Sequence, residues 1–516
     1  MVQYHRNNAK ERNYVNIIEK THTLAVNYVS RRFPIVSCGE EVVISGEDTH
    51  TFGDTDETTE TDTGSGNLDA VKEKYGNYAD YDYEGFQFRI LSPSPGEHFY
   101  FKTSAAENEI WYEAENGDTL NDAIYRRNQI AQELLNFELV PVWGGTVDEV
   151  KTTLQKSIMA ASDEFDVVLN RLDYMTNQAA EGGLVNFYDL EKLDVSDPWW
   201  DKNIVESFTF YGNKLYALAG DINYYDDYAV QALFMNQRIC EELGYELPYQ
   251  LVRDGKWTFD EFNKMVKGSS QDLNGDGQVT ITDDVIGYVN HNGAMLHMVF
   301  TFDQKPTITE ADGTITINNS EAMINTVDIL YRFLNESGAD VYINTSGIEY
   351  TLAFPEGRVL FFAEMIGAIG GYREMVDDYS VLPMPKGDES MPEYRAYVSN
   401  GWTTSYAIPN TNTDIERSAT ILDTMCAAST DTVMTALYDV MLTSKLIRDE
   451  ESQEMLEYIF ASKCYDISGD LAWGGGLTGI YLGLSKKSTN TFVSDMDSRL
   501  ATNEKALEDF LASFAD

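Results

Sequence analysis

Cysteine is scarce in this 516-residue chain, which holds four: Cys38, Cys240, Cys426 and Cys464. None is spaced from another as a zinc site or dithiol motif requires. A fold with so few does not rest on a disulfide framework, and the last three are expected to be buried thiols. Basic residues are also few, with 37 Lys and Arg against 85 Asp and Glu and a formal net charge of −48. Such a chain repels nucleic acid and anionic headgroups, and it favours solubility and cation binding. There is no run of about 18 apolar residues to span a membrane as a helix. No internal repeat of roughly 20–50 residues suggests a solenoid.

Catalytic signatures are absent as well. The sequence has no Walker A, G-x-S-x-G or H-E-x-x-H motif. "GGGLTG" at 474–479 fits G-x-G-x-x-G by letter, but it follows no evident strand and reads as a flexible turn. His291 and His297 are six positions apart, which does not place them on one helical face. Among 85 carboxylates a glycosidase pair can always be drawn, yet no motif singles one out.

What is present begins with the leader. Ile35, Val36, Ser37 and Cys38 resemble the lipobox of bacterial lipoproteins, although Arg31 and Arg32 interrupt the preceding apolar stretch. The segment after Cys38 is rich in Asp, Glu, Thr and Gly and lacks Lys and Arg up to residue 67, so it cannot bury a core. Residues 1–82 therefore read as a disordered leader and acidic tether, with Cys38 as the candidate for lipidation. An unmodified Cys in a disordered leader is the alternative.

Order begins near residue 83. "GFQFRIL" alternates as a strand, and "TLNDAIYRRNQIAQELLN" puts Leu120, Ile124, Ala131 and Leu135 on one helical face. "FELVPVW" is a second strand. "TVDEVKTTLQKSIMAAS" is a helix opened by Thr146 and Glu149 at capping-box spacing. "FDVVLN" is a third strand, buried on both faces. This βαβαβ run predicts an open parallel sheet with its ligand at the carboxyl ends of the strands, next to segments 92–111, 143–146 and 170–174. Further on, "WTFDEFNKMVKG" is a helix, "VIGYVN" a strand, "GTITIN" a hairpin strand and "INTVDILYRFLNES" an amphipathic helix.

The order of these pieces is similar to one known family. "GNKLYALAGD", "ALFMNQRICEELGYELP" and "WTFDEFNKMVKG" are followed by "FPEGRVLFFAEM", "YSVLPMPKGDE" and "WTTSYAIPNTNTDIERSATILDTM". This succession resembles the extracellular solute-binding proteins of bacterial ABC importers, in the carbohydrate-type group (family 1) that includes maltose-binding protein. The similarity runs from about residue 85 to the C-terminus. It implies an α/β fold of two periplasmic-binding-protein-like lobes (type II) joined by crossing strands, with the ligand in the interlobe cleft. Crossings are implied near 215–221, 354–362 and 397–407. Lobe one would then be 83–217 plus 355–396, and lobe two 218–354 plus 397–516. The implied function is non-enzymatic: a monomeric, lipid-anchored extracellular protein captures a sugar by closing on it and delivers it to a membrane permease. A binder of peptides or charged solutes, in which Arg171 anchors a carboxylate, stays open, as does a surface glycan binder without transport.

For a neutral sugar the cleft needs aromatic faces, and carboxylates or amides for the hydroxyls. Trp111, Trp143, Asn170 and Arg171 stand at predicted strand ends in lobe one. Asp221, Tyr224, Tyr225, Glu364, Tyr372, Trp402 and Trp473 stand near the crossings or in lobe two. Each could instead be core or surface.

"DLNGDGQVTITDD" reads as a cation loop. Asp272, Asn274, Asp276, Gln278, Thr280 and Asp283 occupy positions 1, 3, 5, 7, 9 and 12 of an EF-hand loop, with Gly277 at the sharp turn. Asp at position 12 is shorter than the usual Glu, so it is expected to bind through one oxygen or with Asp284 beside it. A strand follows instead of a second helix, so Ca²⁺ there would be structural and not a sensor. A polar turn is the other reading.

Overall fold

The computed structural model describes residues 81–97, 108–310, 313–344, 349–443, 449–469, 476–485 and 487–515. The tether with Cys38, the segment 98–107 and Trp473 lie outside them.

Along the chain run β1 (Phe86–Ser92), β2 (Phe137–Trp143), β3 (Val167–Arg171), β4 (Gln231–Asn236), β5 (Ile286–His291), β6 (Thr307–Thr309) and β7 (Ile315–Ile317). There follow β8 (Val341–Asn344), β9 (Val359–Met365), β10 (Tyr379–Pro383), β11 (Ala396–Tyr397), β12 (Thr404–Ala407) and β13 (Lys463–Cys464). Two sheets organise two bodies, with strand orders β12-β3-β1-β2 and β10-β4-β9-β5-β8.

In the first sheet β1 lies between β2 and β3, parallel to both, as the βαβαβ pattern predicts. The helix Thr119–Leu135 buries Leu120, Ile124, Ala131 and Leu135. Thr146 and Glu149 form a complete capping box at the start of helix Val147–Ala160. β2 runs straight into that helix at Gly144, where a Cβ would stand 2.7 Å from Val150 Cγ2.

In the second sheet β5 pairs parallel with β8 and β9, while β4 and β10 are antiparallel. Its faces are covered by rings: Phe234, Phe354, Phe362, Tyr372 and Tyr379 on one group of contacts, Trp257, Phe262, Tyr288, Phe333 and Phe361 on another. "VIGYVN" and "GTITIN" form β5 and the β6–β7 hairpin as expected.

The division of the chain between the bodies differs from the implied one. β9 and β10 pair within the second sheet, so the 355–396 segment that carries them does not rejoin the first, and 354–362 is not a crossing. β12 instead adds to the first sheet, antiparallel to β3, and helix Ile415–Ser429 packs on helix Thr119–Leu135. The segment 215–221 is still in the first body, because Leu218 bridges Tyr406 of β12. The first crossing is therefore the short helix Tyr225–Tyr228, and the second runs from β10 to β12 through β11. The following helical turns, Thr430–Met434 and Thr435–Thr443, stay packed on helix Thr119–Leu135, and only then does the chain leave the first body, with helix Glu450–Ala461 packing on β10. Strand-like letters alone do not say which sheet a strand joins; the antiparallel ladders on β3 and β4 decide it.

Candidate functional site

The carboxyl ends of β1, β2 and β3 fall at Ser92, Trp143 and Arg171, and those of β5 and β9 at His291 and Met365. At such ends side chains project beyond the hydrogen-bonded ladder, which is where open α/β sheets hold ligands.

On the first body, Arg171 Nε and Nη2 donate to the two oxygens of Asp173 at 2.8 and 2.6 Å. The same guanidinium lies 4.5 Å from the centre of the Tyr174 ring, and Lys151 Nζ lies 4.8 Å from it. The Tyr174 hydroxyl donates to Asp148 at 2.6 Å. Asn170 is buried; its amide donates to the Val147 carbonyl and accepts from the Arg171 N–H, so it shapes the strand end.

The turn carrying Trp402 abuts this group. Leu172 N–H donates to the Thr403 carbonyl at 2.9 Å, and Asp173 N–H to the Asn400 carbonyl at 3.4 Å. Asn400 in turn donates to the carbonyls of Asp466 and Gly469, both at 2.9 Å. A Cβ on Gly469 would sit 2.9 Å from the Tyr397 hydroxyl, so that tyrosine closes the path to the second body. There the Tyr397 ring is 5.1 Å from the ring of His297, which meets His291 edge-on at 4.7 Å.

The six-residue spacing of the histidines thus brings them together after all. His291 ends β5, and the turn at Gly293, whose N–H donates to His291 Nδ1, folds helix Ala294–Thr301 back over it. Burial pushes His291 down to about 4 and lowers His297 as well. Both are neutral imidazoles at neutral pH, and a neutral imidazole can both donate to and accept from a hydroxyl. Glu364, half-buried at the end of β9, is pushed up to about 7 by its burial.

The remaining predicted residues are placed elsewhere. Trp143 is half-buried at the end of β2, paired with Ser92. Trp111 lines a separate hollow of about 320 Å³ with Tyr125 and Pro141, at the outer edge of the first sheet. Tyr372 is core, 5.1 Å from the rings of both Phe234 and Phe354. Tyr224 and Tyr225 are buried with ring centres 4.9 Å apart, on the crossing itself. Asp221 accepts from the Thr430 hydroxyl, lines a different hollow, and is pushed up to about 6 by burial. The tyrosines and Asp221 lie on or beside the crossing, but the crossing is packed and its backbone N–H groups at Tyr224 and Tyr225 are taken by Glu109.

Glu109 escaped notice in the sequence. Fully buried, it accepts from the N–H groups of Tyr224 and Tyr225 at 2.7 and 3.1 Å and from the Thr404 hydroxyl at 2.6 Å. It joins the first crossing to the start of β12, and burial pushes it up to about 7.

At the acidic loop, Asp272 accepts from the N–H groups of Gly275 and Gly277, and Asp276 from that of Gln278, which fixes the turn. Gly277 has φ +82°, which favours glycine. The carboxylate turned into the loop base is Asp284, which accepts from Leu273 and Thr280 at 2.8 Å each; Asp283 is exposed. Among the described residues no three carboxylate, imidazole or thiol groups converge at metal-binding distance. The donor types suit a hard cation, but the side chains would have to draw inward to bind it.

No protein-family model matches the sequence, and no curated protein matches it. Solved structures do. UspC of M. tuberculosis superposes with a TM-score of 0.54 at 12% identity, over 82% of this chain and 100% of that one. The chain has the two-lobe solute-binding fold. A cyclo/maltodextrin-binding protein complexed with maltotetraose gives a TM-score of 0.52 at 14% identity, over 84% of this chain and 98% of its own. A sugar transporter from Rhizobium etli in an open conformation gives 0.51 at 14%, over 84% and 100%. The Arg171–Asp173 pair lies at the carboxyl end of β3 in this fold, and the turn with Trp402 is bonded to it.

Proposed function

We propose that this chain is the solute-binding component of an ABC importer, capturing a sugar or oligosaccharide by closing its two lobes and presenting it to a membrane permease. The observation that carries this is the strand-end group itself. The half-buried rings of Trp402 and Tyr174 stand beside internally paired charges on the first body, and half-buried neutral imidazoles end β5 on the second, a surface suited to C–H faces and hydroxyls. The likeness in fold to a maltodextrin-binding protein supports the same ligand class. The binding energy gained by touching both lobes drives closure, since only the closed state makes both sets of contacts. Nothing in this arrangement calls for covalent chemistry, and we read the protein as a binder and not an enzyme.

Arg171 argues against the anionic-ligand alternative. Its guanidinium is already held by Asp173 through two bonds, so it offers an incoming carboxylate little. The reading further includes an extracellular location with lipid on Cys38, and a structural Ca²⁺ held by Asp272, Asn274, Asp276, Gln278, Thr280 and Asp283. No helix among the described residues is long and apolar enough to cross a membrane, so in this reading the lipid would be the anchor. A thermal-shift screen with maltotetraose, other oligosaccharides, amino acids and peptides tests the ligand class, because a ligand of the native state raises the midpoint by mass action. A rise with peptides alone would replace the sugar reading.

A further inference from the structure

The ribbon β11–β13 has two faces with different neighbours. Tyr397 pairs with Cys464 and Ala396 with Lys463, so by the alternation of strands Tyr397 and Lys463 project to opposite sides. Tyr397 meets His297. On the other face the Lys463 ammonium reaches Asp201 at 2.9 Å, Asp226 at 2.8 Å and Asp227 at 3.0 Å.

These carboxylates have different addresses. Asp226 and Asp227 lie on the crossing helix Tyr225–Tyr228. Asp201 belongs to the first body: it caps helix Lys202–Phe208, and its N–H donates to the Ala219 carbonyl. The ribbon packs on helix Ala294–Thr301 and β4 of the second body. Lys463–Asp201 is therefore an ion pair running directly from one body to the other.

The pair lines a hollow of about 890 Å³ whose walls come from both bodies: Val195, Trp200 and Asp221 from one, Arg253, Lys386 and Tyr394 from the other. Lys463 faces this hollow, while Tyr397, on the other face of the same ribbon, faces His297 and the strand-end group. The cleft lies at β3, β1 and β2 of one sheet and β9 and β5 of the other. The hollow lies past β12, on the side where Leu218 bridges Tyr406, and past the β4–β10 side of the second sheet. The crossings stand between the two openings. Rotation about them that narrows one must widen the other.

We propose that the Lys463–Asp201 pair is a latch that holds the rear hollow narrow and so opposes closure of the strand-end cleft. Lys463 and Asp201 are then positioning residues that set ligand affinity without touching ligand. The proposal rests on the closure reading above. The chemistry suits a switch. When the latch opens, Lys463 keeps Asp226 and Asp227, and Asp201 Oδ1 keeps the N–H groups of Asn203 and Ile204, so only Asp201 Oδ2 gives up its partner. Side-chain exposure of 15% and 6% also keeps the pair from being screened as a surface pair would be.

The test compares wild type with Asp201→Asn, which retains a capping oxygen but loses the charge. Spin labels at Met159→Cys and Ile329→Cys, both exposed and one on each body, report the interbody distance by pulsed EPR, with Cys38→Ser in every sample. Without ligand, Asp201→Asn should raise the short-distance, closed population several-fold, and maltotetraose should bind tighter by the same factor. Lys202→Gln, on the same hollow but outside the pair, should change neither. Unchanged distances in Asp201→Asn, a shift to longer ones, or an equal shift in Lys202→Gln would overturn the latch. Because the distances are read without ligand, a failure of every saccharide to bind would count against the sugar reading and leave the latch to be judged on them.

Discussion

Glu109 and Thr404, 295 residues apart in sequence, are joined by a buried 2.6 Å hydrogen bond that ties the first crossing to the strand completing the first sheet. The carboxyl is pushed up to about 7 from an ordinary 4.5, and burial is the main cause. A raised folded-state value means that its contribution to stability is complete below about pH 4.5 and is lost as pH rises through about 7. Glu364 has the same sign and window. His291 and His297 act oppositely, but only below their unfolded value of 6.5. Below about pH 6.5 the carboxyls and the histidines offset each other, so the melting temperature should fall from about pH 6.5 and level off above about 7, each carboxyl's slope shrinking from ~1.4 kcal/mol per pH unit toward zero as it ionises. Glu109→Gln keeps an acceptor for the two amides and a donor toward Thr404, so it should flatten this slope. An unaltered slope in the variant would remove Glu109 from the account.

Trp402 and Tyr372 should separate site from core. Trp402→Ala is expected to weaken saccharide binding by about 1–3 kcal/mol while lowering the melting point of the empty protein little. Tyr372→Ala opens a hole among Phe234, Phe354 and Tyr379 and should cost about 3–5 kcal/mol of stability. Isothermal titration and thermal melting on both variants check this, and a larger stability loss at Trp402 would move that residue into the core.

The acidic loop offers a contrast between neighbours. Asp284 holds the loop base through two backbone amides, so Asp284→Ala should lower the melting temperature equally in EDTA and in Ca²⁺. Asp276→Ala should lose only the increment that Ca²⁺ gives wild type. If wild type melts identically with and without Ca²⁺, the loop is a polar turn.

Much of the fold was legible because its signals are local. The apolar face of Leu120, Ile124, Ala131 and Leu135, and the Thr146–Glu149 box, depend only on near neighbours and appear as read. Sheet membership does not: β9 and β12 have ordinary strand letters, and only the pairing of Thr404 with Arg171 reveals where β12 goes. The site was half legible for the same reason. Arg171 and Trp402 lie at strand ends, as their letters suggest. Tyr372 has similar letters but turns inward, and Glu109 acts through backbone amides that leave no sequence pattern.

The late addition of β12 also sets a schedule for folding. Until residues 404–407 are available, one edge of β3 offers unpaired backbone to any passing strand, and the first sheet lacks its antiparallel border. A chain emerging from its N-terminus cannot finish one body before starting the other. Such distant pairing slows folding and lengthens the exposure of open edges. In a chain carried across a membrane unfolded, that delay would be compatible with passage, because the last strand needed to lock the first body is among the last to arrive.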